Sequence, residues 1–450
     1  MKQYIFKYAL LLGAVALWSC EPKVDEFTPS TGTADFSKFI AIGDSYTAGY
    51  TDGALGRRGQ EESFSAILGK QLMYVGSDSY NQPFVLSESS VGSTQLQPGV
   101  FNGYYELNIV DGSLKPQPTV GDANIFGEQV ASAENQNYGV PGAKLIHLLA
   151  EGFGNPAAGF GNYNPFYTRF MSQPMASVLG DALAAQASFI SLWAGNNDVL
   201  AYAMAGGEGD AITDPAIFAG AYSQALTALV ANGAKGVLGN IPAVETIPFF
   251  NTVPYNALPL DQATADMLNA AYTDYNAAAD ANGLPRIEFS AGANALVIAD
   301  ESWPLMGIRQ IKADEKFLLT LPTDKIANEG WGTQVPVPAE YVLDATELAA
   351  IATATAEYNV TIKSLSEQHG FAHADLNMKM KELSTTGIII DGHTYTGAFV
   401  TGGVFSLDGI HATGRGSAII ANAFIDAINA KFDASIPRAN INDYNMVEFP

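Results

Sequence analysis

Apolar positions along the chain fall into short unbroken runs separated by longer stretches of helical spacing. The runs are Phe39–Gly43 (FIAIG), Ser188–Ala194 (SFISLWA), Lys235–Asn240 (KGVLGN) and Phe371–Leu376 (FAHADL). Short continuous runs of this kind suit strands buried on both faces. Between and after them, apolar residues recur at helical spacing over Ser63–Tyr74, Pro215–Val230, Gln262–Ala281, Thr346–Gln368 and Gly416–Phe432. Asn232-Gly233 supplies a helix stop, and Pro242 ends the run KGVLGN. Strands alternating with helices predict an α/β fold, a parallel sheet flanked by helices on both faces.

Two stretches break the rhythm. Residues 76–133 are rich in Gly, Ser, Asn and Tyr, with alternating runs such as YYELNIV at 104–110. Residues 284–344 hold several prolines and short apolar runs such as FLLTL at 317–321. Both are expected to be insertions, with small β-hairpins, over the strand ends. The division expected is a single catalytic-size domain over 37–434 and a C-terminal tail at 435–450.

The first nineteen residues differ in kind. Lys2 and Lys7 precede an apolar run from Ala9 to Trp18, too short to span a bilayer, and Cys20 follows directly. This is the layout of an export signal ending at a lipidation site, with Cys20 as the acylated residue. It resembles a bacterial lipobox and implies an exported, lipid-anchored protein, by analogy on the outer membrane. The alternative is an ordinary secretory signal that happens to end near a cysteine. Residues 20–36 are polar with Pro and Thr and are expected to be a flexible tether.

Composition narrows the function. Cys20 is the single cysteine, which removes disulfide frameworks and cysteine-based zinc sites. With 22 Lys+Arg against 46 Asp+Glu, the net charge of −24 disfavours nucleic acid as a partner. His369 and His373 are the only histidine pair near metal-ligand spacing, and Gly370 interrupts the helix there, so no metal site and no cofactor are expected.

The chemistry lies at strand ends. The first strand runs into Gly43-Asp44-Ser45, which puts a serine at the carboxyl edge of the sheet, where open α/β sheets bind ligands. Alone, the triplet reads equally as a turn with a helix-capping serine. Near the other end, Asp408 stands three residues before His411, spacing that lets a carboxylate bond one imidazole nitrogen and leave the other for a hydroxyl. His411 could instead cap or pack near the last helix. Asn137–Ala143 (NYGVPGA) and Gly195–Asp198 (GNND) are turns whose backbone N–H groups or side-chain amides could meet a developing oxyanion. Ordinary turns and an Asn–Asp helix cap are the bland alternatives.

Taken together and in order, GDSY at 43–46, NYGVPGA at 137–143, GNND at 195–198 and DGIH at 408–411 resemble the four motifs of the SGNH/GDSL hydrolase superfamily. The resemblance spans about 37–432. It implies a flavodoxin-like sandwich and a serine ester hydrolase of the carboxylesterase or lipase kind. It further implies Ser45 as nucleophile, His411 as general base and Asp408 as its orienter. The implied oxyanion donors are the Ser45 N–H, the Gly142 N–H and the Asn197 side chain. Tyr46 stands where the family name has leucine, at a tolerant position, and Ala412 follows the histidine where proline is common. Apolar clusters at Asn164–Tyr167, Phe170-Met171, Ile241-Pro242, Ile247–Phe250 and Val253–Tyr255 could line an acyl site or simply pack the insertions. The 20 tyrosines also leave a carbohydrate O-acetyl esterase open. A non-catalytic, lipid-anchored binding protein on the same scaffold is a third possibility.

Overall fold

The computed structural model describes residues 27–86, 91–110, 112–130 and 134–450. The signal segment over 1–19, Cys20 and the first part of the expected tether lie outside the described residues.

Five short strands form the central sheet: β1 (Phe39–Gly43), β2 (Asn137–Gly139), β3 (Phe189–Trp193), β4 (Lys235–Gly239) and β5 (Ala372–Ala374). They are all parallel, in the order β2-β1-β3-β4-β5. Every residue of β1 and β3 is buried, which is why their sequences are runs rather than alternations. Gly43 pairs with Gly139 on one side and Trp193 on the other, so three loops leave the sheet at one level. The chain crosses to opposite sides of β1 to form β2 and β3. That makes the β1/β3 boundary the topological switch point, the crevice in which doubly wound sheets hold ligands.

Helices cover both faces. The main ones are α1 (Ser45–Ala48), α2 (Phe64–Leu72), α3 (Asn197–Met204), α4 (Pro215–Ala231), α5 (Gln262–Ala271), α6 (Thr273–Asn282), α7 (Ala345–His369) and α8 (Gly414–Phe432). On one face α2 packs on α8, with Phe64 and Phe424 stacked at 5.0 Å. On the other, α4 packs on α7 through Phe218 and Tyr358 at 4.0 Å. The ends follow local chemistry. Asp214 caps α4 ahead of Pro215, and Asp344 and Glu347 form a reciprocal capping box on α7, which stops at Gly370 with φ 71°.

The second insertion begins earlier than the expected 284. The single helix expected over Gln262–Ala281 is two helices that break at Tyr272, and both belong to a separate apolar cluster instead of the sheet. That cluster gathers Leu258, Leu268, Tyr275, Leu296, Phe317 and Val342. A buried arginine, Arg309, bridges Asp300 at 2.6 Å and Glu315 at 2.6 and 2.8 Å inside it. The first insertion is a three-stranded antiparallel sheet of Thr94–Gln97, Val100–Val110 and Ser113–Val120. Pro116 and Pro118 lie on its outer strand, where no further partner needs their missing N–H.

The described part of the expected tether and the C-terminal stretch are more tightly held than expected. Within the stretch read as tether, Ser30 bridges Ser435, Thr33 N–H bonds Phe432 O, and Phe36 is buried. The stretch read as a tail buries Ile436, Ala439, Ile441 and Val447. Among the described residues no helix is long and apolar enough to cross a membrane.

Candidate active site

The turn after β1 is built by steric exclusion. A Cβ on Gly43 would lie 2.3 Å from both Thr47 Oγ1 and Trp193 O, and one on Gly139 would lie 2.2 Å from Ala48 N. Glycine at both positions lets the one-turn helix α1 sit against the ends of β1 and β2. Asp44, not Ser45, caps this helix: its Oδ1 accepts from Tyr46 N–H at 3.1 Å. Ser45 is therefore the first helical residue. Its N–H lies among those a helix leaves without an internal partner, and its hydroxyl is free for other work.

That hydroxyl lies 2.8 Å from His411 Nε2, and His411 Nδ1 lies 2.8 Å from Asp408 Oδ2. Sequence separation between Ser45 and His411 is 366 residues, so the sheet edge and the loop before α8 bring them together. Asp408 is saturated. Its Oδ1 accepts from Ser406 Oγ, Ile410 N–H and His411 N–H at 3.0, 2.9 and 2.8 Å, while Oδ2 also accepts from Gly53 N–H at 2.9 Å. Burial by itself pushes this carboxyl up. The attraction of His411 and the hydrogen bonds outweigh it and hold the group well below the usual carboxylate range.

The loop carrying Asp408 and His411 is clasped by residues that sequence reading did not single out. Tyr50–Thr51 and Ala54–Leu55 form a small hairpin turned by Asp52 (φ 47°) and Gly53 (φ 76°). Asp52 accepts Leu407 N–H at 2.8 Å and Arg58 at 2.7 Å, and its own N–H donates to Ser406 Oγ at 3.0 Å. Burial pushes the Asp52 carboxyl up to about 6 against the pull of Leu407 N–H and Arg58. Tyr46 hydroxyl donates to Ile410 O at 2.6 Å, and its ring lies between Trp193 and His411, with centroids at 4.7 and 5.3 Å. Tyr50 meets His411 from another side at 4.8 Å. Tyr46 is thus a tie between the serine helix and the histidine loop, where tolerance was expected. A signal for the hairpin was present: Asp-Gly between apolar residues is the strongest short hairpin cue.

On the opposite side, Gly142 sits exposed in a turn with φ 76°. Asn197 Nδ2 donates to Ala143 O at 3.0 Å, which places its amide beside this turn. Asn164 Nδ2 holds Pro141 O at 2.8 Å. Asn196 and Asp198 do different jobs from the expected helix cap. Asn196 Nδ2 donates to Asp44 Oδ2 at 2.8 Å, and Asp198 Oδ2 accepts Leu145 N–H at 2.8 Å. The side chain of Asn196 makes no capping bond to α3. Burial raises the Asp44 carboxyl to about 6, opposed by Asn196 and Tyr46 N–H.

The apolar clusters mostly pack. Ile247, Phe249, Phe250, Tyr167 and Phe170 are in the main core. Phe166 joins Ala48 and Leu55 next to Tyr50. A cavity of about 310 Å³ flanks the hairpin, bordered by Tyr50, Asp52, Arg58, Tyr105, Leu407 and Val447. His369 ends α7 while His373 lies in β5, and among the described residues no three His, Cys, Asp or Glu side chains gather at metal-binding distance.

The family model described as GDSL-like Lipase/Acylhydrolase matches residues 39–424. No curated protein matches the chain. Solved structures are similar to it as well. A GDSL-like lipase from Parabacteroides merdae is 11% identical, covering 90% of this chain and 100% of that one with a TM-score of 0.34. An alpha/beta hydrolase enzyme from the metagenome of Lake Arreo, Spain, is 12% identical, covering 88% and 96% with a TM-score of 0.35.

Proposed function

Because the chain belongs to the GDSL-like lipase/acylhydrolase family and is therefore an ester-hydrolysing enzyme, we propose that it cleaves carboxylic esters by acyl transfer through Ser45. The observation that carries this reading is the unbroken relay from Ser45 Oγ through His411 to Asp408, with both links at 2.8 Å. In the first step Ser45 Oγ bonds to the ester carbonyl carbon while its proton passes to His411 Nε2. The carbonyl oxygen takes the negative charge and is met by the N–H groups of Ser45 and Gly142 and the Asn197 amide. The carbon–oxygen bond to the alcohol then breaks, and His411 returns the proton to the departing oxygen. Water repeats the sequence on the acyl-serine, releasing the acid and restoring Ser45. Asp408 stays ionised throughout and fixes the imidazole so that Nε2 faces the serine.

The first reading of substrate is a carboxylesterase or lipase-like acylhydrolase. A specific observation favours the second, a carbohydrate O-acetyl esterase. Ala48, at the end of the serine helix, packs with Leu55 and Phe166, which favours a short acyl group. The cavity that flanks the hairpin presents Tyr50, Tyr105, Asn108 and Arg58, groups suited to a sugar, with Ser45, Asp408 and His411 outside its border. We also propose, from the sequence pattern alone, that Cys20 is acylated and anchors the exported protein to a membrane.

The test is a p-nitrophenyl ester series from acetate to palmitate on protein lacking residues 1–20, beside acetate release from acetylated xylan. Hydrolysis that peaks at long chains supports the acylhydrolase; activity confined to acetate with release from xylan supports the second reading. A Ser45→Ala protein as active as wild type, or no labelling of Ser45 by a fluorophosphonate, would refute both. Loss of radiolabelled palmitate incorporation in Cys20→Ala tests the anchor.

A further inference from the structure

Arg169 follows the short helix Pro165–Thr168 and is 1% exposed. A guanidinium offers five N–H donors. Among the described residues its one side-chain hydrogen bond runs from Nη2 to Pro83 O at 3.0 Å, and Nε is buried with no partner. No described carboxylate pairs with it. Glu128 acts on it from farther away, is half-buried, and accepts Leu86 N–H at 2.8 Å. Burial pushes the guanidinium down to about 10, which leaves it charged at neutral pH. A buried charge with neither counter-charge nor full hydrogen bonding is among the costliest arrangements in a protein interior.

The guanidinium borders a small cavity walled by Ala48, Gly139, Pro141, Phe166 and Gln60, with about 10 Å³ open to the centre of a water-sized body. The neighbouring amides are already committed. Gln60 donates to Pro83 O at 3.0 Å and accepts Val85 N–H at 2.9 Å. Asn137 Nδ2 donates to Thr47 O, Ser65 Oγ and Gln82 Oε1. The unspent polarity around this space therefore belongs to Arg169 and is positive. We propose that the cavity binds a single monatomic anion of chloride size, held by Arg169. Water would satisfy one or two N–H groups and leave the charge unanswered; an anion answers both. Ser45, Asp408 and His411 do not border this cavity, although Ala48, Leu55 and Phe166 do.

The test uses wild-type protein in gluconate buffer, with chloride replacing gluconate at constant ionic strength. The expected result is a saturable rise in Tm on the order of 5 °C, reproduced by bromide. Crystals grown with bromide should show an anomalous peak beside Arg169. Arg169→Met removes the charge at similar volume, and its Tm should no longer respond to chloride. A flat wild-type titration overturns the proposal, as does a bromide map with only water in the cavity. So does a response that persists undiminished in Arg169→Met, since the ion would then lie elsewhere. Should that variant fail to fold, the wild-type titration and the bromide map decide the matter between them.

Discussion

The two sides of the site are built to different standards. The Asp408–His411 side is over-determined: five donors converge on one carboxylate, and Tyr46, Asp52 and Ser406 tie the loop to elements near the N-terminal end. The Gly142 side is sparse: an exposed glycine turn is held by two asparagine side chains, Asn164 and Asn197. The difference matches the work proposed for each. A general base must keep one tautomer and one direction through every proton transfer, so its support is rigid. The donors proposed for the oxyanion must stay open to a charge that exists only briefly, and a lightly held turn suits that work.

The largest effect is expected where the rigid side is broken. Asp408→Asn should lower kcat about 10⁴-fold, because the imidazole loses its orienting acceptor. Its labelling by fluorophosphonate should slow in parallel. A loss under tenfold would show that the other contacts suffice to aim His411. On the open side, Asn197→Ala should lower kcat about 10²- to 10³-fold with little change in KM. A change confined to KM would place Asn197 in ground-state binding. That variant also frees Ala143 O, so a Gly142 turn loosened enough to raise KM as well would mean that the amide acts as a strut.

A smaller effect sharpens the comparison within the rigid side. Tyr46→Phe keeps the ring contacts and removes the hydroxyl bond to Ile410 O. Stability should fall by about 1 kcal/mol in urea unfolding and kcat by less than tenfold, because the other ties persist. A loss as large as that of Asp408→Asn would make Tyr46 the principal support of the loop.

The smallest effect on activity concerns Asp44, which links the two sides through Asn196. Its carboxyl is raised from 3.8 to about 6 in the folded state, so the neutral form favours folding. That contribution is whole below pH 3.8 and is lost as pH rises through 6, amounting to about 3 kcal/mol. Asp44→Asn should remove it. The stability difference between variant and wild type, from urea unfolding, should therefore shift in the variant's favour between pH 4 and pH 7. A constant difference would mean that Asp44 is ionised at its ordinary pKa.

Much of this was legible from residue order. Continuous apolar runs marked four of the five central strands, and Asn232-Gly233 and Gly370 marked helix ends close to where they fall. The second strand of the sheet, Asn137–Gly139, was hidden as a turn: it is only three residues with a single apolar one, Tyr138, and it is a strand because Ala41 to Gly43 offer it a parallel edge. The helix pair 262–282 was assigned to the sheet since helical spacing declares an apolar face but not what that face meets. The same limit hid Tyr46, whose hydroxyl partner lies 364 residues away.

The sequence by itself determined the class of fold and the kinds of side chain available along it. These depend on local periodicity, turn chemistry and the kinds of side chain present, which neighbouring residues specify among themselves. The tertiary structure alone decided that Asp52 ties down the histidine loop through Ser406, that Asn196 and Asn197 reach to different partners, and that Arg169 is buried against Pro83 O. Each of these is a contact between segments distant along the chain, and its energy comes from burial and hydrogen-bond geometry that exist only once the core has closed.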